Sequence, residues 1–123
     1  LFTSRKGFEG SPTVVKEATA MNLPVVTTDV GDVAEILSGV HPSAVVEWPE
    51  PWGTPEARAR LVADLADQVE KVLAVGTRSN GREQNAWLAW DRIGAKIIEY
   101  YRDVIARHAS RRSSRGPRGV SAR

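Results

Sequence analysis

Apolar positions along the chain change period several times, and each change marks an element. Leu1-Phe2-Thr3 reads as the end of a short strand. Val14, Val15, Ala18 and Met21 then recur at helical spacing on the buried side of a helix. Ser11-Pro12 stands ahead of them as an N-cap residue followed by proline at the first helical position. That helix stops near Asn22, because Pro24 disfavours helical backbone at the residue before it. Pro24-Val25-Val26-Thr27-Thr28 is β-branched and nearly continuous in apolar character, which suits a parallel strand covered on both faces. Asp29-Val30-Gly31 predicts a turn. Asp32 opens a short helix with Glu35 in capping-box spacing, with Val33, Ile36 and Leu37 facing inward and Gly39 at its end. Ala44-Val45-Val46-Glu47-Trp48 predicts another short strand.

Pro49 to Thr54 is a loop rich in Pro, Gly and Trp. Thr54-Pro55-Glu56 combines a cap residue, a first-turn proline and an acid near the positive helix end. Leu61, Leu65, Val69, Val72 and Leu73 mark one face of that helix, and Gly76 closes it. Asn80-Gly81 predicts a turn. A last long helix is expected from about Glu83 to Ala106, with Trp90, Ile93, Ile97, Tyr101 and Val104 forming one apolar stripe. Core packing is the expected role of Trp90 and Tyr101, while Trp87 lies off the stripe and is free to cover another domain. The order β-α-β-α-β-α-α defines an α/β chain whose parallel sheet, of about three strands, is flanked by helices. That is thin for a doubly wound domain, where about five or six strands are usual. The chain also begins at Leu1, and its one methionine is Met21. The expectation is a piece of a longer sequence, with the sheet continuing before Leu1.

Composition narrows the class. The 123 residues are 41% hydrophobic and 26% charged, as in a soluble globular domain. There is no cysteine, hence no disulfide and no thiolate metal site. No apolar run approaches membrane-span length, and no signal peptide is visible. The two histidines lie far apart, so no metal centre is expected. Charge is uneven: 17 Lys+Arg stand against 15 Asp+Glu, yet residues 107–123 hold six Arg and no acid. Residues 1–106 are left with eleven basic and fifteen acidic residues, a net of −4. The tail has little to bury and reads as disordered. It suits a solvated extension or, less simply, an arm for nucleic acid or a weak peripheral contact with an anionic membrane. No aromatic side chain is interleaved with its arginines, so base stacking has no platform and no nucleic-acid partner is clear. The location expected is cytoplasmic.

Chemistry concentrates in the loop and helix after the first strand. In a parallel α/β sheet, ligands bind beyond the carboxyl ends of the strands. The loop there delivers Glu9, Gly10 and Ser11 onto a helix start, whose unpaired N–H groups and partial positive charge suit a phosphate. Glu17 follows eight residues after Glu9. Carboxylates only accept hydrogen bonds and so grip sugar hydroxyls well. A diphosphate at the helix tip, with hydroxyl-bearing groups at either end, fits this layout. So do two solvated surface charges beside ordinary helix-start chemistry. Arg5 and Lys6 read as solvated loop charges, and Asp29 and Asp32 as turn and cap residues.

A resemblance adds to this. Thr3-Ser4-Arg5, Glu9-Gly10-Ser11-Pro12-Thr13-Val14-Val15-Lys16-Glu17-Ala18, Asn22-Leu23-Pro24-Val25-Val26, Asp29-Val30-Gly31 and Glu35 occur in this order. Together they resemble the donor-binding half of family 4 glycosyltransferases of the GT-B fold. The resemblance spans about residues 1–106 and is specific over the first 35. It implies a partial Rossmann-like, nucleotide-sugar-binding domain over 1–106, the C-terminal half of a GT-B donor domain, followed by the basic tail 107–123. It implies that Glu9 binds hydroxyls of the donor sugar. Gly10, Ser11, Pro12 and Thr13 bind the diphosphate, mainly through backbone, and Glu17 binds the ribose. Such enzymes are mostly retaining hexosyltransferases without an essential metal, so no cofactor is implied beyond the donor nucleotide-diphosphate sugar itself. The acceptor domain and the basic pair that neutralises the leaving diphosphate have no counterpart here, so this chain alone is expected to be inactive. The loop ahead of Glu9 is longer than usual, and Thr19 stands where the family has Met. The contrasting expectation is a degenerate, non-catalytic α/β module that binds nucleotide, or a partner through its tail.

Overall fold

The computed structural model describes residues 1–113. It divides into two compact units, Leu1–Ala86 and a second beginning at Trp87. The first unit is mixed α/β. Its elements are α1 (Thr13–Ala20), β1 (Val26–Thr28), α2 (Val33–Ile36), β2 (Ala44–Val46), α3 (Pro55–Val75) and α4 (Gly81–Gln84). β1 and β2 pair in parallel, Val26 opposite Ala44 and Thr28 opposite Val46. The expected strand at Leu1-Phe2-Thr3 is reduced to a single parallel bridge, Phe2 to Thr27. Its ladder ends at once because the Thr28 hydroxyl takes over at Ser4. It accepts from the Ser4 N–H at 3.1 Å and donates to the Ser4 carbonyl at 2.8 Å.

Alternation along β1 separates two apolar clusters. Val25 joins Val15, Val30, Val33, Ile36, Leu37 and Val40 on the side of α1 and α2. Val26 joins Val46, Leu61 and Leu65, so α3 covers the other face and packs on both strands. α3 starts as expected: the Thr54 hydroxyl accepts from the Ala57 N–H at 3.1 Å, Pro55 is the first helical residue, and Gly76 caps the other end. Val33, Ile36 and Leu37 are buried as expected, but Val14, Met21 and Leu73 are exposed. On α1 the buried positions are Val15 and Thr19. Thr19 lies against Gly81. A Cβ on Gly81 would lie 2.8 Å from the Thr19 backbone, so α4 sits directly against α1. Asn80-Gly81 therefore starts a helix instead of the turn expected.

The second unit holds the end of a 3-10 turn, Ala86–Leu88, and then α5, Trp90–Ser113. The long helix expected from Glu83 is thus broken before it settles at Trp90. At its other end it runs past Ala106, so residues 107–113, expected to be disordered, are helical. Local bonds carry it there. The Arg107 guanidinium meets the Asp103 carboxylate one turn back at 2.7 Å, and the Ser110 hydroxyl donates to the Ala106 carbonyl. The rest of the tail, 114–123, lies outside the described residues. The stripe expected in the core is not buried: Trp90 is 90% and Tyr101 67% exposed. Among the described residues, the unit to which α5 belongs holds no second long element on which this stripe would pack. No helix among them is long and apolar enough to cross a membrane.

Candidate functional site

Three loops meet where β1 and β2 end: Ser4–Gly10, Asp29–Asp32 and the segment after Val46. Gly31 holds the first two together. Its φ is +54°, and a Cβ there would lie 2.3 Å from the Gly10 carbonyl oxygen and 2.8 Å from that of Glu9. Only glycine allows backbone to approach backbone so closely. The Asp32 N–H closes the contact by donating to the Gly10 carbonyl at 3.1 Å. This places Glu9 and Gly10 directly ahead of α1.

The start of α1 differs from the expected cap. The N-cap residue is Pro12, in extended conformation (φ −66°, ψ 117°), with no side-chain cap. Ser11 is turned to other partners. Its hydroxyl donates to Asp32 Oδ2 and accepts from the Lys16 ammonium. Asp32, expected as a capping-box residue, makes no cap bond either. Carboxylate and hydroxyl satisfy each other across the loop, so neither serves its own helix. The other Asp32 oxygen, Oδ1, is buried without a hydrogen-bond partner. The resulting Lys16–Ser11–Asp32 chain puts a cation beside the carboxylate, at the positive end of α1.

The other expected residues are arranged as follows. Glu9 is half-buried, and Gly10, Thr13 and Glu17 are exposed. Thr13 and Glu17 are four apart on α1 and so share a face, one turn from each other. Among the described residues, neither the Glu9 nor the Glu17 carboxylate has a hydrogen-bond or ion-pair partner, so both are free to accept from ligand hydroxyls. No group of three or more His, Asp or Glu among the described residues is spaced to hold a metal ion.

Two features escaped the sequence reading. Arg5, taken for a solvated loop charge, has its guanidinium over the Phe8 ring at 5.2 Å and over the Trp52 ring at 5.1 Å. Trp48 anchors the same loop, its indole N–H donating to the Ser4 carbonyl at 3.1 Å. Arg5, Lys6, Gly7, Trp48, Glu50 and Trp52 line a cleft beside it. The hint was Trp48 and Trp52, but pairing across more than forty residues leaves no local pattern. Comparison with protein-family models, with curated proteins and with solved structures gave no match to this chain.

Proposed function

We propose that this chain is the C-terminal donor-binding segment of a retaining, GT-B-type glycosyltransferase with a Rossmann-like donor domain. The observation that carries this is the Gly31–Gly10 backbone contact. It seats Glu9 and Gly10 at the start of a helix without a side-chain cap, beyond the carboxyl ends of parallel strands. That is where α/β sheets take phosphorylated ligands. On this reading the donor diphosphate lies on the backbone N–H groups of Thr13 and the residue after it. Pro12 has no N–H to give and sets the entry angle instead. Gly10 lets the phosphates approach, and the Ser11 hydroxyl joins them only by leaving Asp32. Glu9 accepts from hydroxyls of the transferred sugar and Glu17 from those of the ribose.

The acceptor domain, and the cations that neutralise the departing diphosphate, come from sequence outside residues 1–123. Charge stabilisation of the leaving group is a large catalytic term, so the isolated chain binds without transferring. The donor is a cytoplasmic nucleotide-diphosphate sugar, and the protein works where that pool is. No metal or other cofactor has a role in this reading.

Titration calorimetry of the 123-residue chain against nucleoside diphosphates tests it. A hydrogen bond to a charged group contributes about 1.5–3 kcal/mol. Glu17→Ala is therefore expected to weaken binding by about tenfold or more, with the circular dichroism spectrum unchanged. Unchanged affinity in that variant would remove Glu17 from the site. A folded wild-type chain that binds no nucleoside diphosphate would overturn the reading.

A further inference from the structure

The cleft between the Ser4–Gly10 loop and the segment after Val46 has no role in the donor reading. Two aromatic rings, Phe8 and Trp52, hold the Arg5 guanidinium at 5.2 and 5.1 Å. Rings bind a guanidinium by its face and leave its N–H edge free. Among the described residues, neither that edge nor the Lys6 ammonium has a hydrogen-bond or ion-pair partner. Trp48 is fixed by its bond to the Ser4 carbonyl. Glu50 accepts from the Trp52 backbone N–H at 3.3 Å and pairs with neither cation. Together these groups enclose about 250 Å³. Arg58 lines an adjoining hollow with Arg5, Trp48 and Trp52. Glu9, Glu47 and Glu56, the acids nearby in sequence, line neither space.

Four features select a ligand. A guanidinium edge held in place matches the two oxygens of a carboxylate or a phosphate, with little left to order on binding. Two cations and one carboxylate give the lining a net charge of +1. That suits a monoanion better than a zwitterion, a neutral ring or a phosphate dianion. Glu50 only accepts, so the ligand must also donate, as hydroxyls do. The volume falls below the roughly 300–1,000 Å³ of drug-sized sites, so it admits one ring and not the base, ribose and phosphate of a nucleotide. We propose that this cleft binds a hydroxylated ring acid: one ring against the indoles, one carboxylate on the Arg5 edge, hydroxyls on Glu50. Hexuronic acids and hydroxybenzoates share this chemistry. The inference goes beyond the donor reading and does not depend on it.

The test follows the indole N–H signals of the four tryptophans by NMR in the isotope-labelled 123-residue chain. The probes are methyl β-glucuronide, para-hydroxybenzoate, methyl β-glucoside, acetate and uridine diphosphate. At least one of the two ring acids is expected to shift Trp48 and Trp52, with a Kd of about 1 mM. Trp87 and Trp90, in the second unit, should stay in place. Binding of the glucuronide alone identifies a hexuronic acid, and of the benzoate alone an aromatic acid. The glucoside, which lacks the carboxylate, and acetate, which lacks the ring, are each expected to bind at least about tenfold more weakly. Arg5→Gln, at an exposed position, should lower affinity by about tenfold or more. The comparison of probes on the wild-type chain decides the matter even if that variant unfolds. Equal binding of glucoside or acetate would overturn the proposal. So would a folded Arg5→Gln chain with wild-type affinity, or no shift from either ring acid. Shifts of Trp48 and Trp52 as large with uridine diphosphate would also overturn it, and would give the cleft to the donor. Nucleoside-diphosphate binding that leaves both signals unmoved keeps the two sites separate.

Discussion

The two units divide the charge and the burial of the chain between them. Leu1–Ala86 carries eight Lys+Arg against twelve Asp+Glu, a net of −4, and contains both apolar clusters. From Trp87 onward nine Lys+Arg stand against three Asp+Glu, a net of +6, and among the described residues of this part none is buried. The same hydrophobic periodicity therefore has two outcomes. In α3 the stripe meets a sheet, and Leu61 and Leu65 disappear into it. In α5 an equally regular stripe stays exposed, because amphipathicity states which face is apolar and not what covers it. Stability should follow the same division. The first unit depends on distant contacts, and the helix of the second on bonds within a turn of one another.

The sharpest way to break that contrast is to remove equal side chains from both. Ile36 is 0% exposed at the centre of the first cluster, whereas Ile97 stands half-exposed on α5. Ile36→Ala loses transfer free energy and leaves a cavity, at a cost of about 2–5 kcal/mol. Ile97→Ala opens no cavity and should cost under about 1 kcal/mol. Urea denaturation followed by circular dichroism measures both. Similar costs would mean that α5 is packed as tightly as the sheet.

Next in size are two glycines. Gly31→Ala places a Cβ 2.3 Å from the Gly10 carbonyl, at a φ of +54° that other residues rarely adopt. Both effects act together, so a loss of about 2–4 kcal/mol is expected. Nucleoside-diphosphate binding should fall with it as the Glu9–Gly10 backbone shifts. Gly94, inside α5, has nothing within 4 Å of a built Cβ. Gly94→Ala should therefore stabilise the helix by about 0.5–1 kcal/mol. Thermal melts of the two variants are expected to move in opposite directions.

What was legible in the sequence follows from range. β1, the cap of α3 and the buried face of α2 could be read because each depends on neighbours a few residues away. The start of α1 just after Ser11-Pro12 was legible, one residue off. The use of Ser11 was not, because its partner Asp32 is 21 residues on. The same holds for the segment around α4. Asn80 accepts from the His41 N–H at 2.7 Å and donates to the Gly39 carbonyl at 3.1 Å. Arg82 reaches the Ala20 carbonyl at 2.8 Å, and Asn85 the Ile36 carbonyl at 2.9 Å. Polar side chains that bond distant backbone produce no periodicity. Asn80-Gly81 therefore looked like a turn when it begins a helix tied to both α1 and the end of α2. Trp90 and Tyr101 misled in the opposite way, since a clear local pattern stood for a burial that their unit does not provide.

The smallest effect concerns how α5 holds itself together. Asp103 and Arg107 form an exposed pair one turn apart, and the Arg107 side chain is 73% exposed. Solvent screens such a pair, so Asp103→Asn should cost no more than about 0.5 kcal/mol. Its signature is in the salt dependence. At low ionic strength the variant should lose a little helical signal near residues 103–110, and at high salt it should match wild type. A loss confined to low salt would place α5 among helices held locally. A stability loss as large as that of a core substitution would instead mean that Asp103 has a tertiary partner, and the contrast between the two units would fail.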